Sequence, residues 1–362
     1  MRKLMTILAA LVLSLDSYSQ DDGPFNLYFN WHADAAVLSE GARFENKDLR
    51  LEIKGDLGPR LFYRFRQQLT KPMAAGTLDH FSKGTDLMYL GCRLGEGLSL
   101  TVGKQCQSFG GFEYELNPIF VYGYSDFLER MSIFKAGVSL AWNPSPGHEF
   151  VGMVTSSSND RFSDMYHFGS GQSFKDSKAP FEYIIEWNSS LWDGRLLGRW
   201  AVSAASVADG VWNRMILGGE KFCLPKFQVF VDYMAAWDGI DRLMYATEDG
   251  AAFLPAKGLT YYEDVVQHSF VGKAEWQFAH GWNLWVKGMY ETFSVPDFQP
   301  MVDYRKSFGY FGGVEYSPFD GQDIRFYLAF MGRHHVFSEA CGLGDRESGR
   351  VELGLMCRLK AM

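Results

Sequence analysis

The chain has 362 residues, with 35 Lys and Arg against 43 Asp and Glu and a formal net charge of −8 at pH 7. This acidic balance disfavours nucleic acid as a partner, because a polyanion repels a protein of the same sign. The five cysteines are scattered, with neither metal-ligand spacing nor the pattern of a small disulfide framework. The sequence therefore predicts no metal site and no disulfide scaffold.

Residues 1–19 have the order of a secretory signal peptide. A basic start is followed by apolar residues 4–15, and Ser17 and Ser19 place small side chains where a signal peptidase cleaves. The apolar run is shorter than the roughly 18 residues that a helix needs to span a bilayer, so we do not expect a helical anchor. We predict cleavage after Ser19 and a mature protein of residues 20–362.

Alternation of apolar and polar residues is the main pattern in the rest of the chain. Every second residue from Phe227 to Trp237 is apolar, while Gln228 and Asp232 are among the residues on the other face. Such alternation is typical of a strand with one oily and one mixed face. It does not tell whether the oily face contacts a soluble core or lipid, so a soluble β-sandwich stays an alternative at this point.

The connections between these segments favour a membrane barrel, because short turns alternate with long loops along the chain. Most of the short turns carry Gly, Pro or Asp, as tight turns require. The short turns lie at 55–60, 95–97, 143–148, 192–195, 224–226, 279–281 and 317–322. The longer connections lie at 70–85, 106–131, 157–179, 238–265, 294–304 and 335–348, with two brief ones near 38–43 and 208–211. Short turns at one rim and long loops at the other are the arrangement of an outer-membrane barrel.

Counting strands under this rule predicts an all-β fold, a transmembrane antiparallel β-barrel of about 16 strands with short periplasmic turns and long extracellular loops. The predicted strands are 25–36, 44–56, 60–69, 86–94, 98–105, 132–142, 148–156, 181–191, 195–207, 212–222, 226–237, 266–278, 281–293, 305–316, 323–334 and 349–359. The even number puts both chain ends on the periplasmic side. A barrel of this size leaves an aqueous channel, since side chains cannot fill it.

Three segments resemble the phosphate-selective porin family of O and P type, in its Bacteroidetes-like form. They are GDLGPRLFYRFR at 55–66, VGKQ at 102–105 followed by SFGGFE at 108–113, and YSDFLER at 124–130. The resemblance implies a 16-stranded, trimeric barrel whose third long loop folds inward and narrows the channel. By this analogy, residues 106–131 are the candidate constriction loop.

The charges of this loop depart from the basic constriction expected of phosphate-selective members. Its acidic residues are Glu113, Glu115, Asp126 and Glu129, and its one basic residue is Arg130. The resemblance therefore predicts a porin, but the loop sequence does not by itself predict phosphate selection.

Strand alternation assigns charged side chains to the channel wall independently of the family. The inward basic residues are Arg50, Lys54, Arg64, Arg66, Arg93, Lys135, Arg199, Lys273, Lys287, Arg325, Arg333, Arg350 and Arg358. The inward acidic residues are Glu52, Glu182, Glu186, Asp232, Glu275, Glu291, Glu315 and Glu352. This modestly basic wall predicts a weak anion preference with an acidic mouth. Arg64 and Arg66 either tune selectivity or pair with wall carboxylates such as Glu52.

The predicted function is passive diffusion of small hydrophilic solutes or ions through the outer membrane. A phosphate- or anion-specific channel is the main alternative, and an outer-membrane barrel enzyme is a further one. We expect no catalytic site, metal or cofactor, and the expected partners are the lipid bilayer, small ions or solutes, and two further copies in a homotrimer. The last strand ends in Met362 and lacks the terminal aromatic residue common in barrel insertion signals.

Overall fold

Sixteen antiparallel strands make up the fold of the described residues in a computed structural model, which covers residues 23–38, 41–73, 78–166, 174–253 and 261–362. The strands are β1 Asn26–Leu38, β2 Gly41–Leu57, β3 Leu61–Gln68, β4 Thr85–Gly95, β5 Leu98–Cys106, β6 Phe134–Ser145, β7 His148–Ser156, β8 Phe181–Leu191, β9 Leu196–Ala208, β10 Val211–Leu224, β11 Phe227–Asp238, β12 Val265–Ala279, β13 Trp282–Ser294, β14 Arg305–Tyr316, β15 Asp323–Phe337 and β16 Arg346–Lys360. Each predicted strand is confirmed, with ends that differ by a few residues. The predicted signal peptide lies outside the described residues.

The sheet closes into a barrel, because β1 pairs with β16 as well as with β2. The closing ladder is antiparallel and runs from Tyr28 opposite Lys360 to Leu38 opposite Arg350. Closure leaves no row of unpaired backbone groups, which is the condition for a sheet to lie in hydrocarbon without water.

The oily faces of the strands point outward, away from the barrel axis. On β11, the Val231 side chain is 57% exposed, whereas its neighbour Asp232 is 6% exposed. Leu353 on β16 is likewise 62% exposed beside the fully buried Glu352. An apolar outer surface around a charged interior excludes a soluble sandwich, whose oily faces would be covered.

The two ends of the barrel differ as the sequence predicts. Seven tight turns join the strand pairs at one end, and the last strand returns to that end beside residue 27. Gly97 and Gly281 in two of these turns have φ of 70° and 72°, and a Cβ there would come within 2.5 and 2.6 Å of a carbonyl oxygen of the neighbouring turn. These positions require glycine both for the left-handed backbone and for the close approach.

At the other end, strands flank the long connections 69–84, 107–133, 157–180, 239–264, 295–304 and 338–345 and the brief turn 209–210, and β1 ends at Leu38 where β2 begins at Gly41. Four short helices lie in the described parts of these connections: α1 Phe112–Glu115, α2 Asp126–Arg130, α3 Phe162–Met165 and α4 Tyr245–Phe253. No helix in the described ranges is long and apolar enough to cross a bilayer.

Candidate channel interior

The connection between β5 and β6, residues 107–133, runs through the inside of the barrel. At its start, the Gln107 amide donates to Glu182 on β8 at 2.8 Å. Further along, the Tyr122 carbonyl accepts from Arg350 on β16 at 3.1 Å. Because these strands lie far apart around the closed sheet, one segment can reach both only by crossing the interior. We call residues 107–133 the strap.

A wall carboxylate holds the N-terminus of helix α1. The Asp232 carboxylate accepts hydrogen bonds from the backbone amides of Phe112 at 2.9 Å and Glu113 at 2.7 Å. The first amides of a helix lack partners within the helix, so an anion there is favourable. Gly110 and Gly111 precede the helix with φ of 73° and 77°, which lets the chain turn sharply against the wall.

Helix α2 is held in the same way by a second wall carboxylate. Glu291 on β13 accepts from the amides of Asp126 at 2.8 Å and Phe127 at 3.0 Å. The Ser125 side chain caps the helix through the Leu128 amide. The strap therefore has two anchors of the same type, on strands that are two positions apart in the sheet.

The Asp126 side chain is the most heavily paired acid of the strap. It lies 2.8 Å from Arg305, 3.2 Å from Arg333 and 3.0 Å from the His335 ring. Burial alone would raise the pKa of the Asp126 carboxyl, but the His335 hydrogen bond and the charges of Arg333 and Arg305 hold this pKa below its ordinary value. The carboxylate is therefore kept ionised inside the barrel.

Aromatic contacts fix the middle of the strap. The Tyr122 ring stacks on Trp285 of β13 with ring centroids 4.2 Å apart, and it meets the edge of Tyr327 on β15 at 4.8 Å. Its hydroxyl donates to Glu315 at 2.7 Å, which satisfies the polar end of a buried tyrosine. This half of the interior, beside β11 to β16, is filled by the strap.

The acids of the candidate constriction loop act as counter-ions for wall cations. Glu113 pairs with Lys287, and Glu115 lies 2.5 Å from Arg199. Glu129 is exposed, with its carboxylate 3.8 Å from Arg333. The acidic composition of the loop thus arises from docking onto a basic wall, which the loop sequence considered alone does not indicate.

Arg130, the one basic residue of the predicted loop, points to another long connection. Its guanidinium contacts Glu248 at 2.8 Å and the Leu243 carbonyl at 3.1 Å, and it lies 4.0 Å above the Tyr245 ring. It therefore joins the end of α2 to α4.

The thirteen wall cations predicted from the sequence all lie on the inner face of the barrel. They pair with carboxylates as follows: Arg50 and Arg66 with Asp86, Arg64 and Arg358 with Glu52, Arg93 with Asp56, Lys135 with Glu182, Arg199 with Glu115, Lys273 with Glu275, Lys287 with Glu113, Arg325 with Asp323, Arg333 with Asp126, and Arg350 with Glu352. Lys54 lies over the Tyr28 ring, 5.5 Å from its centroid. Arg64 thus contacts Glu52 and Arg66 contacts Asp86, and the effect of both arginines on permeation stays a prediction.

Two cavities of about 500 Å³ each lie beside the strap in the described part of the chain. The turn-side cavity, of about 560 Å³, is lined by five basic residues, Lys54, Arg64, Arg66, Arg93 and Arg358, and four acidic ones, Asp56, Glu115, Glu149 and Glu186. The loop-side cavity, of about 490 Å³, is lined by strand ends and long connections. Gln107 lines the first cavity, and the Lys135–Glu182 pair that it contacts lines the second.

These features define an outer-membrane channel of the porin class: a closed barrel of sixteen strands, an apolar outer surface, a charged interior and a loop folded inside it. The family model of phosphate-selective porin O and P matches residues 25–357. The chain belongs to this family.

Solved outer-membrane proteins have the same fold. The channel DcaP of Acinetobacter baumannii is 12% identical, with a TM-score of 0.62 over 92% of this chain and 97% of that one. The trimer form of OmpT of Vibrio cholerae is 9% identical, with a TM-score of 0.59 over 94% and 100%. OmpF of Salmonella typhi, solved with daunomycin, is 11% identical, with a TM-score of 0.59 over 94% and 99%. Comparison with curated protein sequences finds no match.

Proposed function

We propose that this porin lets small hydrophilic solutes and ions diffuse passively, with a weak preference for anions and no catalytic step. The observation that carries the proposal is the turn-side cavity, where five basic side chains face four acidic ones beside the strap. Fixed charges attract their counter-ions, so a slight excess of cationic side chains favours anions. Because most of these cations are paired, the preference is weak.

Reversal potentials of the purified protein in a planar bilayer test this proposal. Under a potassium chloride gradient, the sign of the reversal potential should correspond to a small excess of chloride over potassium permeability. Arg64→Gln combined with Arg93→Gln should reduce this excess, because it removes two of the five cations around the cavity. Arg43→Gln is the matched control, since the Arg43 side chain is 54% exposed and pairs with Glu45 at the far end of β2. A cation-selective current from the unmodified protein would contradict the proposal.

A phosphate-specific channel is the second candidate, and the description of the family favours it. Arg64, Arg66 and Arg93 offer guanidinium groups at one cavity, and guanidinium matches phosphate oxygens in pairs. Phosphate added to a chloride solution should then reduce the chloride current in a saturable way. A current that falls no more with phosphate than with sulfate would argue for the general porin.

We further propose export by a cleaved signal peptide at 1–19 and assembly as a homotrimer. The basic and apolar order of residues 1–19 supports the first, and the trimer form of OmpT supports the second by analogy of fold. N-terminal sequencing should begin at Gln20, and crosslinking of the detergent-solubilised protein should stop at three copies.

A further inference from the structure

The loop-side cavity has a floor made by the ends of three neighbouring strands. Glu182 of β8 lies opposite Ala205 of β9, and Ala205 lies opposite Asn213 of β10. All three line the cavity of about 490 Å³. Ala205 places only a methyl group between the two polar residues, which lie on the strands to either side of it.

Two polar atoms of this floor find no hydrogen-bond partner among the described protein groups. The Asn213 side chain is 1% exposed, and its Oδ1 accepts from the Ile240 amide at 3.3 Å, which leaves its Nδ2 as an unpaired donor. Glu182 is also 1% exposed, and its Oε1 accepts no hydrogen bond, although the Arg242 guanidinium lies 3.8 Å away. Buried groups of this kind favour a solute that supplies both an acceptor and a donor.

Part of the cavity wall is apolar, and Asp160, Arg161 and Asp176 also line the cavity. Phe109 and Met131 come from the strap, and Phe162, Met165 and Tyr166 come from α3 and the residue after it. The Phe162 and Tyr166 ring centroids are 4.7 Å apart, so together they form an aromatic surface. Apolar walls with a few placed polar groups are the usual composition of a small-molecule site of this size.

Charges around the floor are compensated within the protein. Lys135 donates to Glu182 at 3.0 Å, and Arg242 contacts Asp238 at 2.6 Å. Arg130 contacts Glu248 at 2.8 Å, which lies on α4. With these floor cations paired, an anionic solute gains little from the floor, whereas a neutral solute with hydroxyl groups can hydrogen-bond to Asn213 Nδ2 and Glu182 Oε1.

We propose that the loop-side cavity is a binding subsite for a neutral, hydroxylated organic solute with one apolar face, of the size of a mono- or disaccharide. The apolar face rests on the Phe162–Tyr166 surface, and hydroxyl groups accept from Asn213 and donate to Glu182. This inference rests on the proposed function as a porin, since the subsite lies on the path that a solute takes from the long loops inward.

Single-channel recording with glucose and maltose tests the subsite, and gluconate serves as the anionic probe of similar size. Both sugars should interrupt the current in a concentration-dependent way, and gluconate should do so more weakly. Ala205→Leu fills the floor, and Asn213→Leu removes the unbonded donor while keeping the number and branching of the side-chain heavy atoms. Each should raise the half-blocking sugar concentration about tenfold. For Asn213→Leu this corresponds to the loss of one hydrogen bond, and for Ala205→Leu to the loss of the space that the sugar occupies.

Ala141→Leu is the matched control, because Ala141 is an inward alanine that lines the turn-side cavity instead. It should lower the conductance and leave the half-blocking sugar concentration within about twofold of the unmodified protein. Such a change corresponds to less binding free energy than one hydrogen bond contributes. Sugars that do not interrupt the current, block that is unchanged in both Leu variants, or gluconate block equal to that of glucose would each overturn the subsite while the porin function stands. A protein that forms no conducting channel at all would instead contradict the porin.

Discussion

Asp126 shows how one side chain can hold an interior segment in place. It sits within 3.2 Å of Arg305, Arg333 and His335, which belong to two adjacent wall strands. Arg305 also contacts Asp249 of α4 at 3.2 Å, so the cluster joins the strap, the wall and a second connection. Removing one member of a buried ion pair leaves the charge of the other without compensation. The stability lost in this way is usually larger than the net stabilisation by the intact pair.

Replacing Asp126 with Asn should therefore destabilise the protein. Breaking a buried ion pair costs roughly 3–5 kcal/mol of unfolding free energy. We expect a loss at the lower end of this range, because Arg305 still contacts the Asp249 carboxylate in the variant. Guanidinium unfolding of the detergent-solubilised protein at pH 7 measures the loss. Glu129→Gln is the control, since Glu129 is exposed and 3.8 Å from Arg333, and it should change stability by less than about 1 kcal/mol. Equal losses in the two variants would contradict the role given to Asp126.

The pH dependence of strap docking follows from the same residue. The pKa of Asp126 is held below its ordinary value in the folded protein. The contribution of Asp126 to strap docking is therefore complete above the unfolded pKa of about 3.9, and it is lost as pH falls through the lower folded pKa. Current noise from strap motion should be constant between pH 7 and 5 and should rise below about pH 4. In Asp126→Asn the noise should be high already at pH 7, with a smaller further rise. An unchanged acid step in this variant would assign the effect to other carboxyl groups.

The strap as an element is held mainly through backbone amides at two helix starts. Neither α1 nor α2 could form alone, because helices of four and five residues do not repay the cost of nucleation. The carboxylates of Asp232 and Glu291 supply the missing acceptors. The wall thus determines the local structure of a segment that has little intrinsic preference for it.

Asp232→Ala should release the first half of the strap. The Phe112 and Glu113 amides would lose their acceptor. These amides at the positive end of helix α1 would then be better hydrogen-bonded by water, so this part of the strap should leave the wall. We expect a larger and noisier single-channel conductance than in the unmodified protein. Glu275→Ala is the matched control, because Glu275 is an inward acid on the neighbouring strand that pairs with Lys273. Similar conductance in Asp232→Ala and the control would contradict the anchor.

Strands and strap differ in how far the sequence could predict them. Strand positions follow from a local period of two, so Val231 and Asp232 could be assigned to opposite faces from neighbouring residues alone. The partner of Asp232, by contrast, is Phe112, which is 120 positions away in the chain. No local pattern encodes such a pairing, so Asp232 and Glu291 were predicted as wall charges and not as anchors. The loop-side polar floor was missed for the same reason, since Glu182 and Asn213 become neighbours only through Ala205.

At the scale of the whole molecule, the deciding property is that the sheet has no edge. Alternation predicts an oily face for each strand but leaves open what covers it. The ladder between β1 and β16 resolves this, because a closed single sheet has an inside and an outside and no second sheet to pack on. The large exposure of Val231 and Leu353 is then contact area for lipid.

A disulfide across the closing ladder tests this architecture. Ala35 of β1 lies opposite Leu353 of β16, and opposed residues on antiparallel strands have Cα atoms about 4.5–5.5 Å apart, which a disulfide can bridge. In a background with the five free native cysteines replaced by serine, Ala35→Cys with Leu353→Cys should oxidise to a ring that migrates differently from its reduced form after boiling. Ala35→Cys with Val351→Cys is the control, because this diagonal pair is roughly 7–8 Å apart. Equal crosslinking of both pairs would mean that the two chain ends are not held in this register, and no crosslinking of either would mean that the sheet is open.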